Sequence, residues 1–119
     1  VHYPGTTVDS ASMSVLSDSV AQRLSLNNGD WNPARLESDF MKAKKVADSF
    51  GLQLFCGEFG CFPSTPEELR MTYYKDIVMV FDKLDIAWTH WNYKNDFPIV
   101  DENTLEPIEG ILSALVPAQ

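Results

Sequence analysis

Several kinds of residue are scarce in this sequence, and each shortage excludes a class of function. No apolar run approaches the roughly 20 residues that a helical membrane span needs, and no stretch is low-complexity or internally repeated. Basic residues are few: nine Lys and Arg stand against 17 Asp and Glu, for a formal net charge of −8. Nucleic-acid binding needs clustered positive charge, so that class is set aside. The one basic cluster, Lys42, Lys44 and Lys45, reads as the solvated face of a helix. Two cysteines, Cys56 and Cys61, and two histidines make a poor zinc set, because such a site normally takes four ligands. No metal or cofactor is therefore expected. Free thiols are favoured for the cysteines, since Cys56 lies in an apolar run where thiols are commonly buried; a short-loop disulfide stays open. The chain opens at Val1 with neither Met nor a signal-peptide pattern, as an excised piece would.

What remains is the material of one globular unit: 119 residues, 45% of them hydrophobic. Val1 to Tyr3 reads as the tail of a strand, stopped by Pro4-Gly5. Residues 6–31 are rich in Ser, Thr and Asn and read mostly as a long loop. A short helix is expected around Val15 to Leu24, and Asn27-Asn28-Gly29-Asp30 forms a turn cluster. Asn32-Pro33 opens a helix as cap and first residue. Leu36, Phe40, Ala43, Ala47 and Phe50 line one side of it, and Gly51 ends it. Leu52 to Cys56 is a short apolar run of strand length. Thr65-Pro66-Glu67-Glu68 reads as a capping box starting a helix that carries Leu69, Tyr73, Ile77, Val80 and Leu84 along one side. Ile86 to Trp91 is a second strand, followed by a polar loop to Asp101 and a weaker helix from about Glu106 to Leu115. Strands alternating with helices of this length predict parallel βα units. Both strands are apolar throughout, as strands buried on two faces must be.

Chemistry concentrates at the strand ends. Glu58 follows the first apolar strand directly, where barrel enzymes place catalytic groups, and Gly57 and Gly60 flank it. Side chains alternate along a strand, so Leu54, Cys56 and Glu58 are expected to share one face. The plainer alternative is an acid that caps a turn or pairs with Arg70. Trp91 ends the next strand and should neighbour Glu58 across the ladder. Ala87 and Thr89 share its face, with Trp88 and His90 turned toward the helices. An indole beside a carboxylate is a natural sugar platform, although a strand-end aromatic is also ordinary core. Tyr93, Trp31 and Phe97 would widen such a platform. His2 and Tyr3 end the first strand, so three strand ends offer His-Tyr, Glu and Trp.

The run Leu54-Phe55-Cys56-Gly57-Glu58-Phe59-Gly60 resembles the seventh barrel strand of family 5 glycoside hydrolases, which ends in Gly-Glu-Phe-Gly. The run Ile86 to Lys94, with Asp96-Phe97 and Ile99-Val100-Asp101, is similar to that family's eighth strand and its loop. Arg70 and Tyr73 match a pattern of its endoglucanase-like members. The opening resembles the sixth strand, but there His2 is followed directly by Tyr3 where the family has one residue between, and Pro98 stands where Gly is usual. The resemblance covers about residues 31–112.

It implies an α/β fold, the C-terminal part of a (β/α)8 TIM barrel of about three βα units, with residues 1–119 forming a partial catalytic domain. It implies a retaining β-glycanase, most closely an endo-β-1,4-glucanase, with Glu58 as nucleophile and His2 in the catalytic group. Trp91 would floor the sugar subsite, joined by Tyr3, Tyr93 and Trp31. The acid/base Glu of the family follows an Asn on the fourth strand, which has no counterpart here; Glu106-Pro107 lies after the eighth strand and does not match it. The implied partners are a β-glucan or other β-linked oligosaccharide and either an N-terminal barrel part in a second chain or a self-associated copy. Secretion follows from the family alone. The alternative is an inactive half-barrel fragment, or a carbohydrate-binding module without turnover.

Overall fold

A computed structural model describes residues 2–116, so Val1 lies outside the described residues. The chain runs β1 (Gly5–Thr6), α1 (Ser10–Ser14), α2 (Asp18–Ser25), β2 (Asp30–Trp31), α3 (Pro33–Ser49), β3 (Phe55–Cys56), α4 (Glu67–Leu84), β4 (Ala87–Trp88) and α5 (Glu109–Leu115). The molecule is a slab of 46 × 42 × 21 Å. Its thickness is about two layers, one of helices and one of sheet, since a helix with its side chains is about 10 Å across.

The two main strands pair in parallel, Phe55 opposite Ala87 and Cys56 opposite Trp88. A βα unit, β3–α4–β4, therefore forms as the alternation of patterns predicts. The strands are much shorter than the apolar runs suggest, and they are covered on one face only. Cys56 and Trp88 pack against the core, whereas Ala87 is exposed and Phe55 is 59% exposed. Burial on both faces was expected from composition. Here helices lie on one side alone, so the opposite face stays open.

Helix α4 is the centre of the core. Tyr74, Ile77, Val78, Val80, Phe81 and Leu84 are buried along it. Helix α3 packs on one flank through Phe40 and Phe81, whose rings meet edge to face at 4.9 Å, and Lys83 bonds Glu37 across the pair at 2.7 Å. On the other flank, α5 buries Ile111, Ala114 and Leu115. Gly110 meets α4 so closely that a Cβ there would press on the Met71 sulfur.

Local signals mostly act as written. The Asn32 side chain accepts from the Arg35 N–H and caps α3. Gly51, at φ +65°, ends the helix: its N–H bonds Asp48 and the next N–H, of Leu52, bonds Ala47, the pattern of a Schellman close. Lys42 and Lys44 pair with Asp39 and Asp48 of their own helix, as a solvated face should. The apolar side of α3 is only half used, with Leu36 buried but Ala43 and Phe50 exposed.

Three local expectations need adjustment. The capping box at Thr65 does not form, because the helix starts one residue later. Pro66 occupies the cap position, has no side chain to accept a bond, and takes the Leu69 and Arg70 N–H groups on its carbonyl instead. The helix expected around Val15 to Leu24 does form, as α2, but it starts only at Asp18, after Ser17 in the cap position, and a further short helix, α1, capped by Asp9, precedes it. Finally, His2 and Tyr3 are not in a strand. The chain bends there and enters β1, which pairs antiparallel with β2. Pro4, which lacks an N–H, cannot carry a ladder onward.

Candidate active site

Glu58 is exposed at the end of β3, between two residues held for different reasons. Gly57 turns its carbonyl to Thr89, whose hydroxyl donates to it at 2.5 Å. Phe59 is 8% exposed and its ring packs edge to face on Phe81 and Trp88, both at 5.3 Å, and on His90 at 5.5 Å. One neighbour is tied to β4 and the next is buried under the sheet. The carboxylate between them is thus presented to solvent from a fixed backbone.

The regular ladder ends at Cys56. Beyond it the Thr89 N–H still reaches the Cys56 carbonyl at 3.0 Å, and the Trp91 N–H reaches the Phe59 carbonyl at 2.9 Å. Two steps on one strand thus match three on the other, so side-chain alternation slips across Gly57. Leu54 and Cys56 pack toward the core while Glu58 is exposed. The expectation that all three share a face is therefore corrected; an unbroken strand would be needed, and the slip at Gly57 breaks it. On β4 the expected alternation holds. Trp88 and His90 are partly buried toward the helices, and Ala87, Thr89 and Trp91 are exposed.

Trp91 is 44% exposed and its indole N–H donates to Asp96 at 3.4 Å. Tyr93 is 58% exposed on the same loop. Phe97 folds back over this region, its ring meeting Phe62 at 4.9 Å. Gly60 lies beneath: a Cβ there would collide with the Phe97 ring and the Trp91 carbonyl. The loops after β3 and β4 are thereby locked together around the two strand ends.

The other expected site residues stand elsewhere. His2 reaches Asp9 at 3.5 Å. Tyr3 donates its hydroxyl to Asp76 of α4 at 2.9 Å and meets the Tyr73 ring edge to face at 5.6 Å. Burial and the adjacent Asp76 push the Tyr3 phenol well above its ordinary range. Trp31 donates to the Asn27 carbonyl at 2.8 Å, and the Arg35 guanidinium sits 4.1 Å over its ring. His2, Tyr3 and Trp31 line a cavity of about 370 Å³ with Leu36, Cys61 and Tyr73; Glu58, Trp91 and Tyr93 are not on its walls. Gly60 is, so the cavity opens two residues along from Glu58.

Arg70 does not pair with Glu58. It is 4% exposed, and its Nε has no hydrogen-bond partner among the described residues. Cys56 and Cys61 are free thiols, and burial raises the Cys56 thiol. No group of three or more metal-ligating side chains occurs among the described residues.

Sequence patterns alone passed over Tyr74, which is fully buried. Its hydroxyl accepts the Cys61 N–H at 2.9 Å and lies 3.1 Å from His90 Nε2. The signal was present, since His90 falls on the helix-facing side of β4 by simple alternation.

No family model matches the sequence. Endoglucanase C of Acetivibrio thermocellus is 32% identical over 81 residues, which are 67% of this chain and 24% of that relative. Endoglucanase 3 of Fibrobacter succinogenes is 34% identical over 76 residues, 63% of this chain and 11% of the relative. The chain thus spans about a quarter, or less, of the curated relatives it matches. Among solved structures, a hyperthermophilic endo-β-1,4-glucanase in complex with substrate superimposes with a TM-score of 0.69 at 20% identity, over 75% of this chain and 29% of that one. The Thermotoga maritima Cel5A complex with cellobiose gives 0.66 at 19% identity, over 71% and 27%. These two likenesses carry the fold, a portion of a TIM barrel, and the sequence matches carry the kinship. By sequence over two-thirds of its length and by fold over three-quarters, the chain is a partial, cellulase-like region of a family 5 glycoside hydrolase.

Proposed function

We propose that residues 1–119 form about three C-terminal βα units of a retaining endo-β-1,4-glucanase barrel, with Glu58 as nucleophile. One observation carries the reading: Glu58 is an exposed carboxylate at the C-terminal end of a parallel strand, and the next strand sets Trp91 beside it through the Trp91–Phe59 backbone bond. In this mechanism the ionised Glu58 carboxylate attacks the anomeric carbon as the glycosidic C–O bond breaks. A second carboxylic acid about 5 Å away protonates the departing oxygen, and water then hydrolyses the glycosyl ester with that group acting as base. In this reading the second carboxyl belongs to an N-terminal barrel portion, in keeping with a chain that spans about a quarter of its relative's length. Trp91 and Tyr93 floor the sugar, with Asp96 steadying the indole. His2, Tyr3 and Trp31 contribute through the wall of the neighbouring cavity. The substrate is a β-linked glucan, and the working location is extracellular, where such polymers are found.

A second reading has its own support. Phe55, at 59% exposure, Leu52 at 64% and Phe50 at 75% leave apolar surface on and beside the open sheet face. Such surface favours self-association, and a self-associated fragment would bind sugar without turnover.

Native mass spectrometry with a 2-fluoro-β-cellobioside separates the two. One covalent sugar mapped to Glu58, and lost in Glu58→Gln, is expected for the glycanase, in a complex that includes the N-terminal portion. An unlabelled homo-oligomer would overturn the enzymatic reading and leave the fragment.

A further inference from the structure

Tyr74 has no exposure, yet it carries a hydroxyl. A buried hydroxyl left unpaired is expensive, so its partners report what the fold needs held. They come from two different loops. The Cys61 N–H donates to the phenol oxygen at 2.9 Å, which leaves the phenol hydrogen free for His90 Nε2 at 3.1 Å. Cys61 is three residues past Glu58 and His90 is one before Trp91. The rings also pack: His90 meets Tyr74 edge to face at 5.2 Å and Phe59 at 5.5 Å, while Phe59 meets Tyr74 at 6.2 Å.

For His90 Nε2 to accept, the proton must sit on Nδ1, an assignment made from the network. A relay of neutral groups thus runs from the loop after β3, through the centre of α4, to the loop after β4.

We propose that Tyr74 and His90 are positioning residues that hold the Glu58 loop and the Trp91 strand end at a fixed separation, using a phenol–imidazole hydrogen bond anchored on α4. The proposal rests on the glycanase reading for its functional meaning, but its geometry stands apart from it. Neither side chain is placed at the sugar. Their effect is on where the nucleophile sits, and small displacements of reacting groups are costly in rate.

The experiment compares the chain with Tyr74→Phe, His90→Gln and His90→Leu by amide hydrogen exchange and by rate of 2-fluoro-β-cellobioside labelling. Tyr74→Phe keeps the ring and removes the bond. Exchange at the Cys61 amide should rise about tenfold with helix content unchanged, and labelling of Glu58 should slow by about tenfold while the half-saturating cellobioside concentration stays the same. His90→Gln, whose amide oxygen can accept in place of Nε2, should restore Cys61 protection, whereas His90→Leu should not. Equal protection of Cys61 in all four proteins would overturn the proposal. So would equal rates of labelling where labelling occurs. If the unsubstituted chain is never labelled even in complex with the N-terminal portion, the glycanase reading fails, and the exchange data still decide the tether. Should Tyr74→Phe not fold, the Gln and Leu pair at His90 decides the tether in its place.

Discussion

The Trp91 N–H donates to the Phe59 carbonyl at 2.9 Å, two residues after the Thr89 N–H has reached Cys56. On β3 those acceptors are three residues apart, so the chain gains one residue between Cys56 and Phe59. The effect resembles a bulge: it re-aims one side chain at the end of a ladder. Leu54 and Cys56 stay with the core, Phe59 is buried, and Glu58 is left facing outward beside Trp91.

If Trp91 is a sugar platform, Trp91→Ala should weaken oligosaccharide binding by about tenfold, or about 1–2 kcal/mol, the scale of one lost aromatic stacking surface. Titration of the chain with cello-oligosaccharides by calorimetry checks it. An unchanged affinity removes Trp91 from the platform. The indole is 44% exposed, so the substitution opens no deep cavity and should leave the melting temperature nearly unaltered.

Gly60→Ala should behave in the opposite way. Its new Cβ would strike the Phe97 ring and the Trp91 carbonyl, and the carbonyl, being backbone, cannot swing aside as a flexible side chain would. A destabilisation of about 1–3 kcal/mol is expected from such overpacking, read as a lower urea midpoint at constant slope. Stability equal to the unsubstituted chain would show that the two loops are not locked together at this point.

Tyr3→Phe separates a structural tyrosine from a sugar-contacting one. The hydroxyl donates to Asp76 on α4 and the ring meets Tyr73, so its loss should lower stability by about 1 kcal/mol. Ligand affinity should change little, because the ring that forms the cavity wall is kept. A clear loss of oligosaccharide binding at unchanged stability would put the Tyr3 hydroxyl itself on the sugar.

Acid should loosen the fold through His90. Burial pushes its imidazole down from 6.5 to about 4, so between those values the unfolded chain holds a proton that the folded chain does not. Stability from this group is complete above about pH 6.5 and is progressively lost as pH falls toward about 4. Because the ring is only partly buried, solvent screening reduces the effect to about 1–2 kcal/mol. Urea unfolding at pH 7 and pH 4.5 measures it, and His90→Gln should abolish that share of the difference. A pH slope identical in the two proteins would show that His90 does not titrate as its burial demands.

Much of this molecule was written locally. Asn32-Pro33 and Gly51 set the ends of α3 because caps and left-handed closes act within a few residues. The apolar periodicity of residues 67–84 marked the central helix, and alternation along β4 correctly turned Trp88 and His90 inward and Trp91 outward. The run Gly57-Glu58-Phe59-Gly60 marked the chemically prominent strand end through its residue types alone.

Other features depended on which segments meet. Alternation could not place Glu58, since the slip at Gly57 is set by hydrogen bonds to a strand about thirty residues away. Nor could it place Tyr3, whose hydroxyl partner Asp76 is 73 residues distant. The capping box gave way to a start at Pro66, whose carbonyl takes the Leu69 and Arg70 N–H groups. Tyr74 and His90 look like unrelated core aromatics until α4 brings one hydroxyl between two loops. The sequence by itself determined the ends of α3, the central helix and the carboxylate at a strand terminus, because those follow from backbone preferences and periodicity. Only tertiary structure decided which side chains face one another, because hydrogen-bond register and burial are properties of paired segments.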